Sequence, residues 1–260
     1  MDLGIAGRTA FVAASSQGLG YACALALARE GVAVVLNGRD ADRLDAASAR
    51  LREEVEGADV SAVAADLTTA AGRDAIVRSR PHVDILVNNN AGPRPVGLEG
   101  WTEDALIEAA RANMIPAVEL MRAYVPGMRA RRFGRIVNIT SAMVKSPSYE
   151  MGLSTSARSA LTAISKALSR EVVQDNVTVN SLLPERFDTP RQEFMARRLM
   201  SAEDIDRDEA YRRIASTIAA GRLGRPEEFG DACAFLCSAQ AGYMTGQSIQ
   251  LDGGTYEGLL

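Results

Sequence analysis

The chain alternates two kinds of segment from end to end, and this pattern most restricts what it can fold into. Short β-branched runs trade places with alanine-rich stretches whose apolar residues recur at helical spacing. Strands are read at 9–13, 33–37, 59–64, 84–88, 135–140, 177–182 and 248–251. Helices are read at 19–30, 40–55, 70–78, 103–129, 154–173, 204–220 and 227–238, with a shorter pattern at 191–200. Continuous apolar strands alternating with helices imply a parallel sheet covered on both faces, with right-handed crossovers. At 260 residues and 47% hydrophobic, the chain suits one large α/β domain. No repeat, low-complexity tract or linker divides it. Pro116 and Pro126 predict a kink or split in the 103–129 helix. The polar segment 186–205 follows a strand end, where ligands sit in open α/β sheets, and is read as a mobile lid.

A net charge of -4 gives no general attraction to nucleic acid or to an anionic membrane. The basic run Arg129, Arg131, Arg132 and Arg135 falls where a long helix ends. It reads as solvated partners of the helix dipole. Cys23, Cys233 and Cys237 have neither disulfide nor zinc spacing and read as small buried hydrophobes. No leader-like start and no membrane-length apolar run is seen, so a reducing, cytoplasmic location is expected. No metal-ligand cluster is seen. The single histidine, His82, precedes the fourth strand at the end away from a ligand, which excludes a Ser–His hydrolase.

Directly after the first strand comes Ala14-Ser-Ser-Gln-Gly18-Leu-Gly20, then a helix. Glycines there permit a tight turn and let backbone amides approach a pyrophosphate. The second strand ends at Gly38, where an acidic residue would hold ribose hydroxyls, and Arg39 follows. A missing acid beside a present base favours a 2′-phosphate, hence NADP(H) over NAD(H). Arg39 as a solvated turn residue is the plainer alternative. Asp66 follows the third strand and fits either an adenine contact or a helix cap.

These landmarks resemble the short-chain dehydrogenase/reductase family, close to its 3-oxoacyl-acyl-carrier-protein reductases. The resemblance runs on through Asp66-Leu67, Asp84-Ile-Leu-Val-Asn-Asn89, Asn113 and the strand ending at Ser141. It continues through Val177–Pro184 with Thr189 and ends at Thr245–Gly254. It implies a Rossmann-type, doubly wound, seven-stranded parallel sheet in a single domain over 1–260. It also implies NADP(H) as cofactor and a small-molecule carbonyl or alcohol substrate. Cofactor contacts are expected from Ala14, Ser16, Gln17, Gly18, Leu19, Gly20, Arg39, Asp66, Leu67, Asn89, Arg158, Pro184 and Thr189. Homo-oligomerisation, as tetramer or dimer, is implied too, with 153–167 and the tail 256–260 as candidate faces.

The chain departs from the family at its chemical centre. Family members use Asn, Ser, Tyr and Lys, whereas here Asn113, Ser141, Ser154 and Arg158 fall at those positions. Ser154 is a weak acid, and an arginine such as Arg158 keeps its proton near neutrality and is none. Tyr149 and Glu185 are candidate substitutes. Lys145, in the same loop as Tyr149, reads as a solvated surface residue. The family's first glycine is Ala14, and its Asn-Asn-Ala-Gly appears as Asn88-Asn-Asn-Ala-Gly92, gapped or ungapped. A divergent NADP(H)-dependent oxidoreductase with a non-standard proton donor is expected. A silent NADP(H)-binding protein remains open, as does a lyase or isomerase using Glu185 or Tyr149 as base.

Overall fold

A computed structural model describes residues 1–259. Seven parallel strands form one sheet in the order β3-β2-β1-β4-β5-β6-β7. They are β1 Thr9–Val12, β2 Ala33–Gly38, β3 Val60–Ala64, β4 Ile85–Asn88, β5 Gly134–Ile139, β6 Val177–Pro184 and β7 Ser248–Leu251. The strand order reverses between β1 and β4, and this crevice is the topological switch point. Strands β4 and β5 are buried at every position, as a sheet covered on both faces requires.

Two cores flank the sheet. On one face α1 Gly18–Arg29, α2 Ala41–Glu54 and α9 Pro226–Cys237 pack on Ala10, Val12, Val34 and Leu36. On the other, α3 Ala70–Ser79, α5 Ile115–Ala130 and α6 Gly152–Val172 pack on Phe11, Val35, Leu86 and Ile136. The alternation of Ala10 and Val12 against Phe11 is the strand period of two expressed as two cores. Cys23, Cys233 and Cys237 are free and buried between α1 and α9, as small apolar residues are. No helix of the described residues is long and apolar enough to cross a membrane.

The expected 103–129 helix is two helices, α4 Glu103–Asn113 and α5 Ile115–Ala130, broken at Met114. Pro116 falls in the first turn of α5, where its missing N–H is tolerated. Pro126 lies inside α5 without ending it. It is exposed, and water can serve the carbonyl it leaves free. The 186–205 segment contains α7 Pro190–Glu203, longer than the expected 191–200 pattern. The expected 204–220 helix shortens to α8 Arg207–Ser216, because Asp206 caps its start by accepting from Glu209 N. Ala196, Ala210 and Ile214 give α7 and α8 a small core of their own.

The basic run is corrected. Arg135 is not solvated: it is 2% exposed and donates to Ser238 O, Gly134 O and Asn176 O. Arg129 pairs with Asp175 at 2.6 Å and Arg131 donates to Val83 O. These arginines tie the end of α5 to its neighbours. The 153–167 face is corrected in part, since Leu153 is buried in a small cluster with Ala109 and Ala157. Of the 256–260 tail, Leu260 lies outside the described residues.

Candidate active site

The glycine turn forms as expected. Gly18 has φ +61, a conformation that suits glycine. A side chain at Gly20 would meet Ala14 O at 2.5 Å. Ala14 itself stands at φ +46. Asn37 holds it there, its Oδ1 accepting from Ala14 N at 3.2 Å and its Nδ2 donating to Val63 O and Ala65 O. Asn89 closes the turn from β4 by donating to Ala14 O at 3.2 Å. Gln17 caps α1 with no side-chain bond, and no acid lies in the first turn of α1. The N-terminal amides of α1 are therefore open to an anion. Leu19 packs on the core behind them.

Ser16 and Arg39 gather at the end of β2, with Ser16 Oγ 3.5 Å from where a Gly38 side chain would begin. Arg39 is exposed, and its charge helps lower the pKa of Asp66. The larger cause is Thr68, which donates its backbone N–H and its hydroxyl to Asp66 Oδ1. Asp66 is not the cap of α3; Thr69 takes that place. Leu67 is core and also borders the cavity described below. Thr189 caps α7 by position, and its methyl group lies across Gly18. Pro184 ends β6 against Leu251.

The chemical centre is built by a proline. Pro116 has no N–H for Ala112 O, four residues before it. Asn90 Nδ2 donates to that carbonyl at 2.9 Å. Asn90 Oδ1 in turn accepts from Ala91 N, and Asn113 Nδ2 donates to Ala91 O at 2.9 Å. The loop after β4 is thus drawn inward. A Cβ placed on Gly92 would lie 3.1 Å from Ser154 Oγ and 3.5 Å from both Arg158 Nη2 and Asn113 Oδ1. Three of the expected catalytic residues therefore converge on one stretch of backbone. Asn88 donates to Asn138 Oδ1 at 2.8 Å at the end of β4, and Asn89 to Ala14 O, so the remaining residues 90–92 form the loop over the centre.

Arg158 is ringed by oxygen. Nη1 donates to Ile139 O at 2.8 Å and to Thr140 O at 2.7 Å. Nη2 donates to Asn90 O at 3.3 Å, and Nε donates to Ser154 Oγ at 3.2 Å. A guanidinium has five N–H groups, so one remains. Burial, and then the neighbouring charge of Arg191, bring the Arg158 pKa down to about 10. Ser154 is 5% exposed and accepts from Arg158, which leaves its hydroxyl proton to give. Beneath lies a cavity of about 20 Å³ bordered by Asn88, Asn90, Asn113, Pro116 and Arg158. That is room for one water molecule. The buried oxygens Asn88 Oδ1 and Asn113 Oδ1 make no protein hydrogen bond.

Two candidates are placed differently. Ser141 Oγ accepts from Met143 N at 3.2 Å and starts a short 3₁₀ turn. Tyr149, a candidate substitute acid, stands at the rim. It is 62% exposed, its hydroxyl accepts from Leu98 N at 2.9 Å, and its ring packs 5.6 Å from Trp101. It belongs to the rim formed with residues 96–101. Lys145 sits over the Tyr256 ring at 5.8 Å. Burial holds the pKa of Glu185 above the usual carboxylate range, although Arg186 pairs with it at 3.2 Å. Sequence reasoning did not single out Asn90 or Gly92 as site residues; Arg191, one of the lid arginines that read as suited to an anionic substrate or simply as solvated, donates its Nη2 to Pro93 O at 3.3 Å. The three-asparagine run was the available signal for the first two. Among the described residues no group of three His, Cys, Asp or Glu is arranged to hold a metal.

A doubly wound parallel sheet with a glycine turn opening a helix at its switch point defines the dinucleotide-binding α/β class. A protein-family model described as Enoyl-(Acyl carrier protein) reductase matches residues 13–256. The NADPH-dependent reductase BacG of Bacillus subtilis is 31% identical over 97% of this chain and 99% of its own. The L-sorbose reductase of Gluconobacter frateurii, solved with NADPH and L-sorbose, superposes with a TM-score of 0.94. It is 34% identical, with all of both chains covered. A short-chain dehydrogenase/reductase family protein superposes at 0.84 with 30% identity over 98% of this chain and 99% of its own. The chain belongs to the short-chain dehydrogenase/reductase family.

Proposed function

We propose that the chain is an NADP(H)-dependent reductase of a small carbonyl compound, working reversibly on the alcohol. In it Ser154 and Arg158 stand where family members carry tyrosine and lysine. The observation that carries the reading is the convergence of Asn113, Ser154 and Arg158 on the Gly92 backbone. NADPH-dependent relatives that match over nearly the full chain support it. The cofactor cradle fits a dinucleotide: the Gly20 position has no room for a side chain, the α1 amides are open, and Arg39 suits a 2′-phosphate. When bound, NADPH supplies the hydride for the carbonyl carbon.

The residues of the chain do the rest. Ser154 directs its hydroxyl proton at the substrate oxygen, and the remaining Arg158 N–H meets the charge growing there. As Ser154 gives up its proton, Arg158 Nε already points at the oxygen left behind. Solvent then reprotonates Ser154. Asn113 holds the loop backbone at Ala91. The 186–205 lid, anchored by Thr189 against Gly18, closes the site to water. Three free buried thiols fit a reducing, cytoplasmic setting. Exposed Leu106, Ile107 and Ile164 on α4 and α6 fit a homo-oligomeric face.

One observation favours a second reading, a cofactor-binding protein without turnover. Arg158 has four of its five donors engaged, and the Gly92 loop lies over Ser154. Measuring NADPH fluorescence and NADPH oxidation against activated ketones, diketones and quinones separates the two. The reductase reading expects turnover that falls about 100-fold in Ser154→Ala with NADPH affinity kept. Tight NADPH binding with no oxidation of any compound would establish the silent reading.

A further inference from the structure

The lid has an uneven charge pattern. Arg197 and Arg207 both pair with Glu193, at 3.0 and 3.1 Å. Arg212 and Arg213 pair with Glu209. Arg191 and Arg198, on the same helix α7, have no carboxylate within ion-pair distance among the described residues. Arg191 reaches out of the lid to Pro93 O, on the loop that covers Ser154. It lies close enough to Arg158 for the two charges to oppose each other. Arg158 has no carboxylate either; carbonyl dipoles hold it. Beside Arg191, Gln192 is 5% exposed and buries an Nε2 donor that has no acceptor. Arg191 thus brings positive charge from the lid to the loop over Ser154. Arg191 is exposed, so its guanidinium fork is open to a ligand arriving from solvent.

Resting on the reductase reading above, we propose that the substrate carries a carboxylate, which docks on Arg191 at the mouth of the site. The planar guanidinium fork matches a carboxylate in bidentate fashion. Arg191 gives one Nη2 hydrogen to Pro93 O and lies 5.5 Å over the Phe194 ring, and its remaining donors suit a monoanion, because the carbonyl dipoles around Arg158 already offset much of that residue's charge. Arg191 is then a specificity-determining residue: it fixes the acid end while the ketone faces Ser154.

Titration calorimetry with saturating NADP⁺, where no turnover occurs, tests this. The probes are 2-, 3- and 4-oxo acids, each beside its methyl ester. At least one acid is expected to bind about 10- to 100-fold tighter than its ester, the size of a charged hydrogen-bond contact. Arg191→Gln is expected to erase that preference while leaving NADP⁺ affinity and melting temperature unchanged. The proposal is overturned if no acid outbinds its ester, or if the preference survives in Arg191→Gln. It also fails if the variant weakens NADP⁺ instead, since Arg191 would then face a cofactor phosphate. Should NADP⁺ not bind at all, the reductase reading fails on its own. The same acid and ester titrations on cofactor-free protein still decide the anion site.

Discussion

Ser154 and Arg158 sit four residues apart on α6, a spacing that puts two side chains on one helical face. What that pair can do depends on the remaining hydrogen-bond capacity of each. Arg158 has one N–H to offer, and Ser154 has its proton. Glu185 is the titratable group whose behaviour is easiest to test. Burial raises its pKa from 4.5 more than Arg186 lowers it, so the folded state holds the proton more tightly than the unfolded chain. The stability this contributes is complete below about pH 4.5 and is lost as pH rises through the higher folded value. Denaturant unfolding of wild type and Glu185→Gln should therefore agree best near pH 4. The variant should gain on wild type as pH rises toward 7. A gap that stays flat from pH 4 to 8 would mean that the Arg186 ion pair cancels burial, and a gain of wild type on the variant that it outweighs burial.

At the scale of elements, the loop after β4 and the break between α4 and α5 are one device. Pro116 frees a carbonyl, Asn90 takes it, and Arg158 binds the Asn90 backbone. This has a consequence for restoring the family pattern. A phenol at position 154 would need the space held by the Gly92 backbone, which a single carbon already approaches to 3.1 Å of Ser154 Oγ. Ser154→Tyr with Arg158→Lys should therefore lose about 1–3 kcal/mol of stability and gain no turnover, since overpacking costs about that much. Deleting one residue from 90–92 in the same background should recover both. Turnover in the double variant with the loop intact would show that the loop moves aside readily.

The whole molecule divides into a sheet with two large cores and an α7–α8 unit, the proposed lid, with a small one. The lid core is Ala196, Ala210 and Ile214, and its surface pairs are exposed salt bridges, which contribute little each. We expect amide hydrogens of α7 and α8 to exchange well ahead of those in β4, β5 and β6. Saturating NADP⁺ should slow exchange in α7 through Thr189; equal protection of lid and sheet would contradict a closing lid. By itself the sequence determined the parallel sheet, its seven strands in place, the glycine turn and a break of the 103–129 helix just before Pro116, though not that Pro126 would leave α5 intact. Each is written in local periodicity or in the backbone limits of single residues. Tertiary structure alone decided where polar side chains found partners. Arg135 reads as a helix-end cation, yet it is buried against Ser238, 103 residues away. Tyr149 reads as a candidate acid, yet it is bound to Leu98, 51 residues away. Asn90 reaches Ala112 across 22 residues and Arg158 reaches Asn90 across 68. A hydrogen bond between distant residues leaves no period in the sequence. The sequence therefore carried the frame of the site, and the packed fold set which donors were still free within it.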